Sequence, residues 1–427
     1  MFNKPNKLST DPYKGVRDFF PDEMSVEKKI FEIWRTVVEK YGYEEMAASV
    51  LEPAELYKAK TGEEIVNEQT YTFADRGDRE VTLRPEMTPT VARMVAARRR
   101  ELIFPLRWYS IPNLFRYEQP QRGRVREHWQ LNADIFGVTS ISAEIEIINI
   151  AYDIVRAYGL KDTDFEIRIN NRKIMNYVTR DIFDLDEEKS KKISRLIDKK
   201  DKISPESFKN VAAEILGEAR LDEFLALLGS KNFEEFASRL PQTKEEHEGL
   251  KEIKNVIVGL ERLGINNTRF DQGLMRGFDY YTGIVFEIYD LNPANRRSVF
   301  GGGRYDDLLA LFGGDKIPAV GFGAGDVIAR DIMETYGTLP ETTSSAEIMV
   351  CIVGDQNTPY ALEVAQKMRE KGMSVAVDMS GRKLGDQISN ADKRGVLKVI
   401  CVGDEEVRTG KLKLKELGSG NEEVLEV

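Results

Sequence analysis

Strand-forming sequence lapses between residues 171 and 262 and then returns, and no other feature narrows the possible folds so far. The intervening stretch is rich in Lys and Glu. Its apolar residues fall at helical spacing, with few β-branched clusters. It reads as helices over 172–183, 186–199, 205–228 and 244–263. The pattern implies a strand-rich domain that helices interrupt and that the chain completes afterwards.

On the N-terminal side, Val26, Ile30, Ile33, Trp34, Val37 and Tyr41 form one stripe of a long helix ending near Gly42. YTFAD and REVTLRPE, within 70–86, read as two strands joined by a turn at DRGDR. A helix from Thr88 to about Glu101 follows, with Thr88 as N-cap and Pro89 at its first position. Residues 105–119 and 127–137 read as a strand pair joined by a basic loop, QRGRVR, and 141–158 as a helix. Strand character returns at 270–290, and the run continues through SVFGGGRYDDLLALFG and IPAVGFGAGDVIARDIM. YGTLPETTSSA, 336–346, reads as a linker. Strand and helix then alternate to the end, the pattern of a small α/β domain with a largely parallel sheet.

Length and composition exclude several classes. With 427 residues and 41% hydrophobic content, the chain can build two or three domains, each with a core. It has no run of eighteen apolar residues, so no membrane span is expected. MFNKPNKLSTDPYKG lacks the apolar region of a secretory signal. Cys351 and Cys401 lie far apart in short apolar runs and read as buried free thiols. With His128 and His247 the only histidines, a Cys/His zinc site is excluded. A net charge of −10 disfavours nonspecific nucleic-acid binding but does not forbid a local basic groove. Basic residues cluster at 98–100, which reads as a solvated helix face, and at 121–126, in a loop.

Three segments could carry chemistry. In FRYEQPQRGRVREHWQLNAD (115–134), Gln130 and Asp134 are four apart and share one strand face, as do Arg116 and Glu118. That face is either a solvated surface or a polar floor; its aromatic flanks, Trp108, Tyr109, Phe115, Tyr117 and Trp129, favour neither outright. FDQGLMRGFDYYTG (270–283) groups Arg276, Asp279, Tyr280, Tyr281 and Gly283, which could read a small polar ligand or form core with polar tips. FGGGRYD (300–306) offers glycines for close backbone approach. Neither GxGxxG after a strand nor GxxxxGK[ST] occurs.

Together these segments resemble histidyl-tRNA synthetase, a class II aminoacyl-tRNA synthetase. The resemblance runs through GVRDFFPDE (15–23), LEPAELYKAKTGEEIVNEQTYTFAD (51–75) and TLRPEMT (82–88). FRYEQPQRGRVREHWQLNADIFG looks like class II motif 2, and MRGFDYYTG (275–283) like a signature of the histidine-specific enzymes. FGGGRYD and PAVGFGAGD (318–326) resemble the run into motif 3, and VAVDMSGRKLGDQISNADKRG (375–395) the anticodon-binding domain. The resemblance implies an α+β catalytic core with an antiparallel six-stranded sheet flanked by helices, at 1–170 and 263–335. It also implies a helical insertion at 171–262, a linker at 336–345, and an α/β anticodon-binding domain at 346–427.

It further implies ATP-dependent ligation of histidine to tRNA(His) through histidyl-adenylate, in a cytoplasmic homodimer, with Mg²⁺ accompanying ATP on ligands that the sequence does not name. Glu86, Thr88 and Gln130 would hold the substrate ammonium, while Asp134 and Tyr281 meet the imidazole nitrogens. Asp134 stands where many relatives have Glu. Tyr280 belongs to the same histidine site, and Tyr305 would close it. Arg116 and Arg276 would bind the α-phosphate, with Glu118 near the ATP base. Gln121 and Arg126 would meet the acceptor end of the tRNA. A site that hydrogen-bonds both imidazole nitrogens can reject other side chains by about 10⁴–10⁵ without editing. One departure is Ile328, which stands where class II motif 3 usually has Arg; either another cation, Arg84 or Arg304, takes its place or ATP is bound differently. The alternative is a non-catalytic relative, the regulatory subunit of ATP phosphoribosyltransferase, which resembles the same core.

Overall fold

The structure is a computed structural model that describes residues 8–58, 69–200, 203–241, 247–275, 280–295, 297–342 and 344–426. Its centre is a sheet in which six strands run mutually antiparallel: β5 (Leu106–Ser110), β7 (Glu127–Phe136), β12 (Ala319–Gly325), β11 (Ser298–Arg304), β10 (Ile284–Asp290) and β8 (Phe165–Asn171). The six-stranded antiparallel expectation corresponds to this core, but the sheet is larger. β1 (Glu44–Glu45) adds in parallel beside β5, and β9 (Thr268–Phe270) in parallel beside β8. β6 (Asn113–Phe115) pairs with the start of β7.

The edge strand β9 and its neighbour β8 explain how the sheet tolerates its long interruption. The chain leaves the sheet after Asn171 and re-enters at Thr268, and Ile167 and Thr268 face each other in register. The helices between are therefore a closed excursion whose ends are neighbours. They are Arg172–Asn176 with a π-turn at Tyr177–Ile182, then Glu187–Asp198, Pro205–Leu216, Glu218–Leu228, Phe233–Arg239 and Glu248–Arg262. The single helix expected over 205–228 is two, because Gly217 at φ +83° breaks it. The helix Phe233–Arg239 was not expected. Asn232 caps it by accepting the Glu235 N–H, and Phe236 packs edge-on to Phe270.

The long first helix runs Pro21–Lys40 and buries Val26, Ile30, Trp34, Val37 and Val38. The hairpin β3 (Tyr71–Ala74) and β4 (Glu80–Leu83) forms as read, with β2 (Leu51–Pro53) on its other edge. The next helix, Thr88–Arg98, corrects the cap assignment: Met87 is the N-cap, no side chain caps the helix, and Thr88 is already helical. This helix packs Met87, Val91 and Val95 against Tyr280, Tyr281, Tyr305 and Phe136, so tyrosines back one face of the sheet.

Two compact units divide the chain, one of Met1–Asp18 with Ile30–Leu339, the other of Phe19–Lys29 with Pro340–Val427. The second contains a five-stranded sheet, in the order β14 (Val375–Val377), β13 (Ile348–Ile352), β15 (Lys398–Val402), β16 (Lys411–Glu416), β17 (Glu422–Glu426). Its first three strands are parallel, as expected. Cys351 and Cys401 face each other in register and are free, Cys351 buried and Cys401 half-buried. Among the described residues no helix is long and apolar enough to cross a membrane.

Candidate active site

β7 carries the site. Its period of two sends His128, Gln130, Asn132 and Asp134 to one face. Across from the last three stand Gly325, Gly323 and Gly321 of β12. Those glycines make the room: a Cβ on Gly321 would lie 1.9 Å from Asp134 Oδ1, and one on Gly323 2.4 Å from Gln130 Nε2. β11 is pressed equally close, since a Cβ on Gly302 would lie 1.9 Å from the Gly321 carbonyl oxygen.

The resulting cavity, about 110 Å³, is lined on its polar side by Glu86, Thr88, Arg116, Gln130, Asn132 and Tyr305. Tyr280, Tyr281, Gly301, Gly321, Phe322 and Gly323 complete the wall. Most residues expected at a histidine site thus surround one space. Asp134 accepts a hydrogen bond from the Tyr305 hydroxyl, and both side chains are buried. Burial pushes the Asp134 carboxyl up to about 7; the Tyr305 bond pulls the other way without cancelling it. The Tyr280 hydroxyl donates to Glu86 Oε2 at 3.1 Å. Gln130 donates through Nε2 to Asn132 Oδ1 at 2.8 Å. Asn132 was not expected in the site, though the same alternation that relates Gln130 to Asp134 points to it.

Arg116 reaches the cavity just beyond β6, its backbone bonded to the Arg126 carbonyl and its Nε to the Pro85 carbonyl at 2.9 Å. His128, also unforeseen, lies beside it. Burial first, then the Arg116 charge, hold its imidazole neutral, with its pKa lowered to about 3. Glu118 is half-buried, 4.0 Å from Arg124 Nε. From His128 to Asp134 is six residues of strand, about 20 Å.

Several expected residues sit elsewhere. Arg126 turns inward over its own loop. It is 8% exposed, donates to the Glu118 carbonyl and the Tyr13 hydroxyl, and lies 4.0 Å over the Tyr117 ring. Its guanidinium is spent closing the base of the loop. Gln121 is exposed at the loop tip, where it bonds Arg124 across a turn containing Gly123 at φ +79°. Arg276 and Asp279 lie outside the described residues. Arg84 and Arg304, the expected replacements for the motif 3 arginine, are both buried and committed. Arg84 serves Ala48, Ser49 and Asn113, while Arg304 serves Glu144, Asp306, Val138 and Ser140.

A family model described as histidyl-tRNA synthetase matches residues 15–325, and one described as anticodon binding domain matches 347–427. The histidine–tRNA ligase of Leptospira biflexa is 41% identical over 426 residues, covering 98% of this chain and 96% of that protein. Among solved structures, histidyl-tRNA synthetase from Nostoc sp. PCC 7120 matches with a TM-score of 0.83 at 25% identity, covering 98% of this chain and 97% of that one. An ATP phosphoribosyltransferase regulatory subunit/histidyl-tRNA synthetase from Bacillus halodurans matches with a TM-score of 0.77 at 25% identity, covering 92% and 98%.

Proposed function

We infer the chemistry of this site from one premise: the chain belongs to the histidyl-tRNA synthetase family. It is an aminoacyl-tRNA ligase that uses ATP to join histidine to tRNA(His). A carboxylate oxygen of histidine attacks the α-phosphorus, diphosphate leaves, and the adenylate then passes its acyl group to the tRNA with release of AMP.

In our reading, Asp134 accepts an imidazole N–H while Tyr281 meets the other imidazole nitrogen. Tyr305 holds the Asp134 carboxyl in place, and Tyr280 does the same for Glu86. Glu86, Thr88 and Gln130 grip the ammonium, with Asn132 fixing the Gln130 amide. Arg116 neutralises charge on the α-phosphate, Arg276 is its second cation, and Glu118 reads the base. Gln121 meets the tRNA acceptor end, and Arg126 positions the loop that presents it. The insertion at 171–262 and the tail at 346–427 are separate domains of a cytoplasmic homodimer.

Mg²⁺ accompanies the ATP. Among the described residues no group of three or more His, Cys, Asp or Glu side chains could hold a metal. Phosphates and water supply most of the six ligands of such an ion, and no step here runs through it.

One observation supports this reading above the others: a single cavity gathers Gln130, Glu86, Tyr281 and Tyr305 with Arg116, and Tyr305 ties that lining to the buried Asp134. The test is histidine-dependent exchange of diphosphate into ATP. Wild type should exchange with histidine alone among amino acids. Arg116→Ala should lose about 10²–10³-fold, the usual cost of one transition-state donor. A folded protein that binds histidine without exchange would support the regulatory reading, for which Ile328 in place of the motif 3 arginine is the specific observation.

A further inference from the structure

We propose that Arg17 is a further cation of the ATP site, reaching the outer phosphates from the strap that precedes the first helix. This rests on the reading of the site given above. Among the described residues lining the cavity, Arg116 is the sole cation. A triphosphate carries several negative charges and is bound through cations placed along it. Ile328 supplies none. Arg84 and Arg304 are buried in other bonds, Arg330 pairs with Glu334, and both Arg122 and Arg297 pair with Asp331.

Arg17 is different in where it is held. Its NH2 donates to Asp326 Oδ2 at 2.6 Å and to the Glu127 carbonyl at 3.5 Å. Asp326 is fully buried at the start of the helix Asp326–Tyr336, and its other oxygen accepts the Trp129 N–H at 3.0 Å. The pair therefore fastens Arg17 to the backbone of β7 at residues 127–129, the end of the strand beyond Gln130. The preceding residue, Gly325, opposes Gln130 in register. His128 reports the same proximity: both the Arg116 and the Arg17 charges bear on its imidazole and help to keep it neutral. Two guanidinium charges thus act on one neutral ring near the end of β7, and one of the two, Arg116, lines the cavity. A guanidinium carries five donors and grips phosphate through its planar fork. Asp326 acts as the positioning residue that sets the fork.

The test uses the full chain with Arg17→Gln, which keeps a donor for Asp326 but removes the charge, and Arg17→Lys, which keeps both. Diphosphate exchange gives KM and kcat for ATP and for histidine, and inhibition by AMP gives affinity for the inner part of the nucleotide. For Arg17→Gln we expect kcat/KM for ATP to fall about 10²-fold, with the histidine KM and AMP inhibition unchanged. Arg17→Lys should recover part of the loss. Equal losses for ATP and AMP, a parallel shift in the histidine KM, or no change would overturn the proposal. If Arg17→Gln fails to fold, Arg17→Lys decides by the same ATP-against-AMP comparison. Absence of histidine-dependent exchange in wild type would instead defeat the site reading on which the proposal stands.

Discussion

Asp134 titrates near neutrality because its surroundings withhold water from the anion, and this ties recognition to stability. Its carboxyl moves from 3.8 to about 7, chiefly through desolvation. Between those values the folded protein keeps a proton that the unfolded chain has lost. Stability from this group is therefore complete below about 3.8 and declines as pH rises through about 7. The ionised form costs on the order of 4 kcal/mol at alkaline pH. Asparagine keeps the shape and can still accept from Tyr305, without a charge to bury. Asp134→Asn should thus melt above wild type at pH 8, nearly match it at pH 4, and lose histidine binding. Equal melting temperatures at pH 8 would show that the carboxylate is better solvated than its burial implies. Much of this neighbourhood was legible beforehand, because period two along β7 relates Gln130 to Asp134 whatever the partner strands. Arg126 was not legible, since nothing local reveals that Tyr13 and Tyr117 close over it. Thr88 misled for a related reason: a threonine before a proline reads as a cap, whereas here it lines the cavity one residue inside the helix.

At the level of strands, the glycines of β12 are graded obstacles to any side chain. The added Cβ at Gly321 would meet Asp134, a short side chain already fixed by Tyr305, at 1.9 Å. At Gly323 it would meet the end of Gln130, a longer side chain that can swing aside. Gly321→Ala should weaken histidine activation about 10²-fold, as expected when a reacting group is misplaced by about 1 Å. Gly323→Ala should cost less, and both should leave circular dichroism near wild type. Similar losses for the two variants would mean that the strand pair moves as a unit rather than clashing residue by residue. A second strand-level prediction concerns the buried pair of Arg304 on β11 with Glu144 on the helix Ser142–Ala157, held at 2.6 Å with side chains 7% and 3% exposed. Arg304→Met alone leaves Glu144 buried without its partner and should destabilise by about 3–5 kcal/mol; adding Glu144→Leu should restore much of it in denaturant titrations. The alternating glycines of GFGAG are visible in sequence. Their purpose is not, because only the pairing of β12 with β7 shows which side chains they admit.

The arrangement of the whole chain was half visible as a string of residues. The lapse of strand character announced an interrupted domain, but the parallel contact of β8 with β9 that closes the interruption joins segments about a hundred residues apart, beyond the reach of local pattern. The C-terminal part was easier, because alternation of strand and helix over short distances carries its own topology. Its core is also self-contained. Ile348, Val350, Val364, Met368, Ile400, Val402 and Leu412 pack together in one cluster, and Met349, Cys351, Ala391, Val396 and Val399 in another. Alternate residues of β13 feed the two clusters, so the sheet is covered on both faces by its own helices. A fragment beginning at Pro340 should therefore fold alone, with one cooperative thermal transition. Phe19–Lys29 groups with this unit, yet contributes no member to either cluster. The complementary fragment, ending at Leu339, holds the whole lining of the candidate site. It should keep histidine-dependent diphosphate exchange within about tenfold of the full chain, while its charging of tRNA(His) falls far more, because the anticodon-binding segment is gone. Gradual, noncooperative melting of the Pro340 fragment would mean that Phe19–Lys29 completes its fold. Equal loss of exchange and charging in the other fragment would mean that activation itself depends on the C-terminal unit.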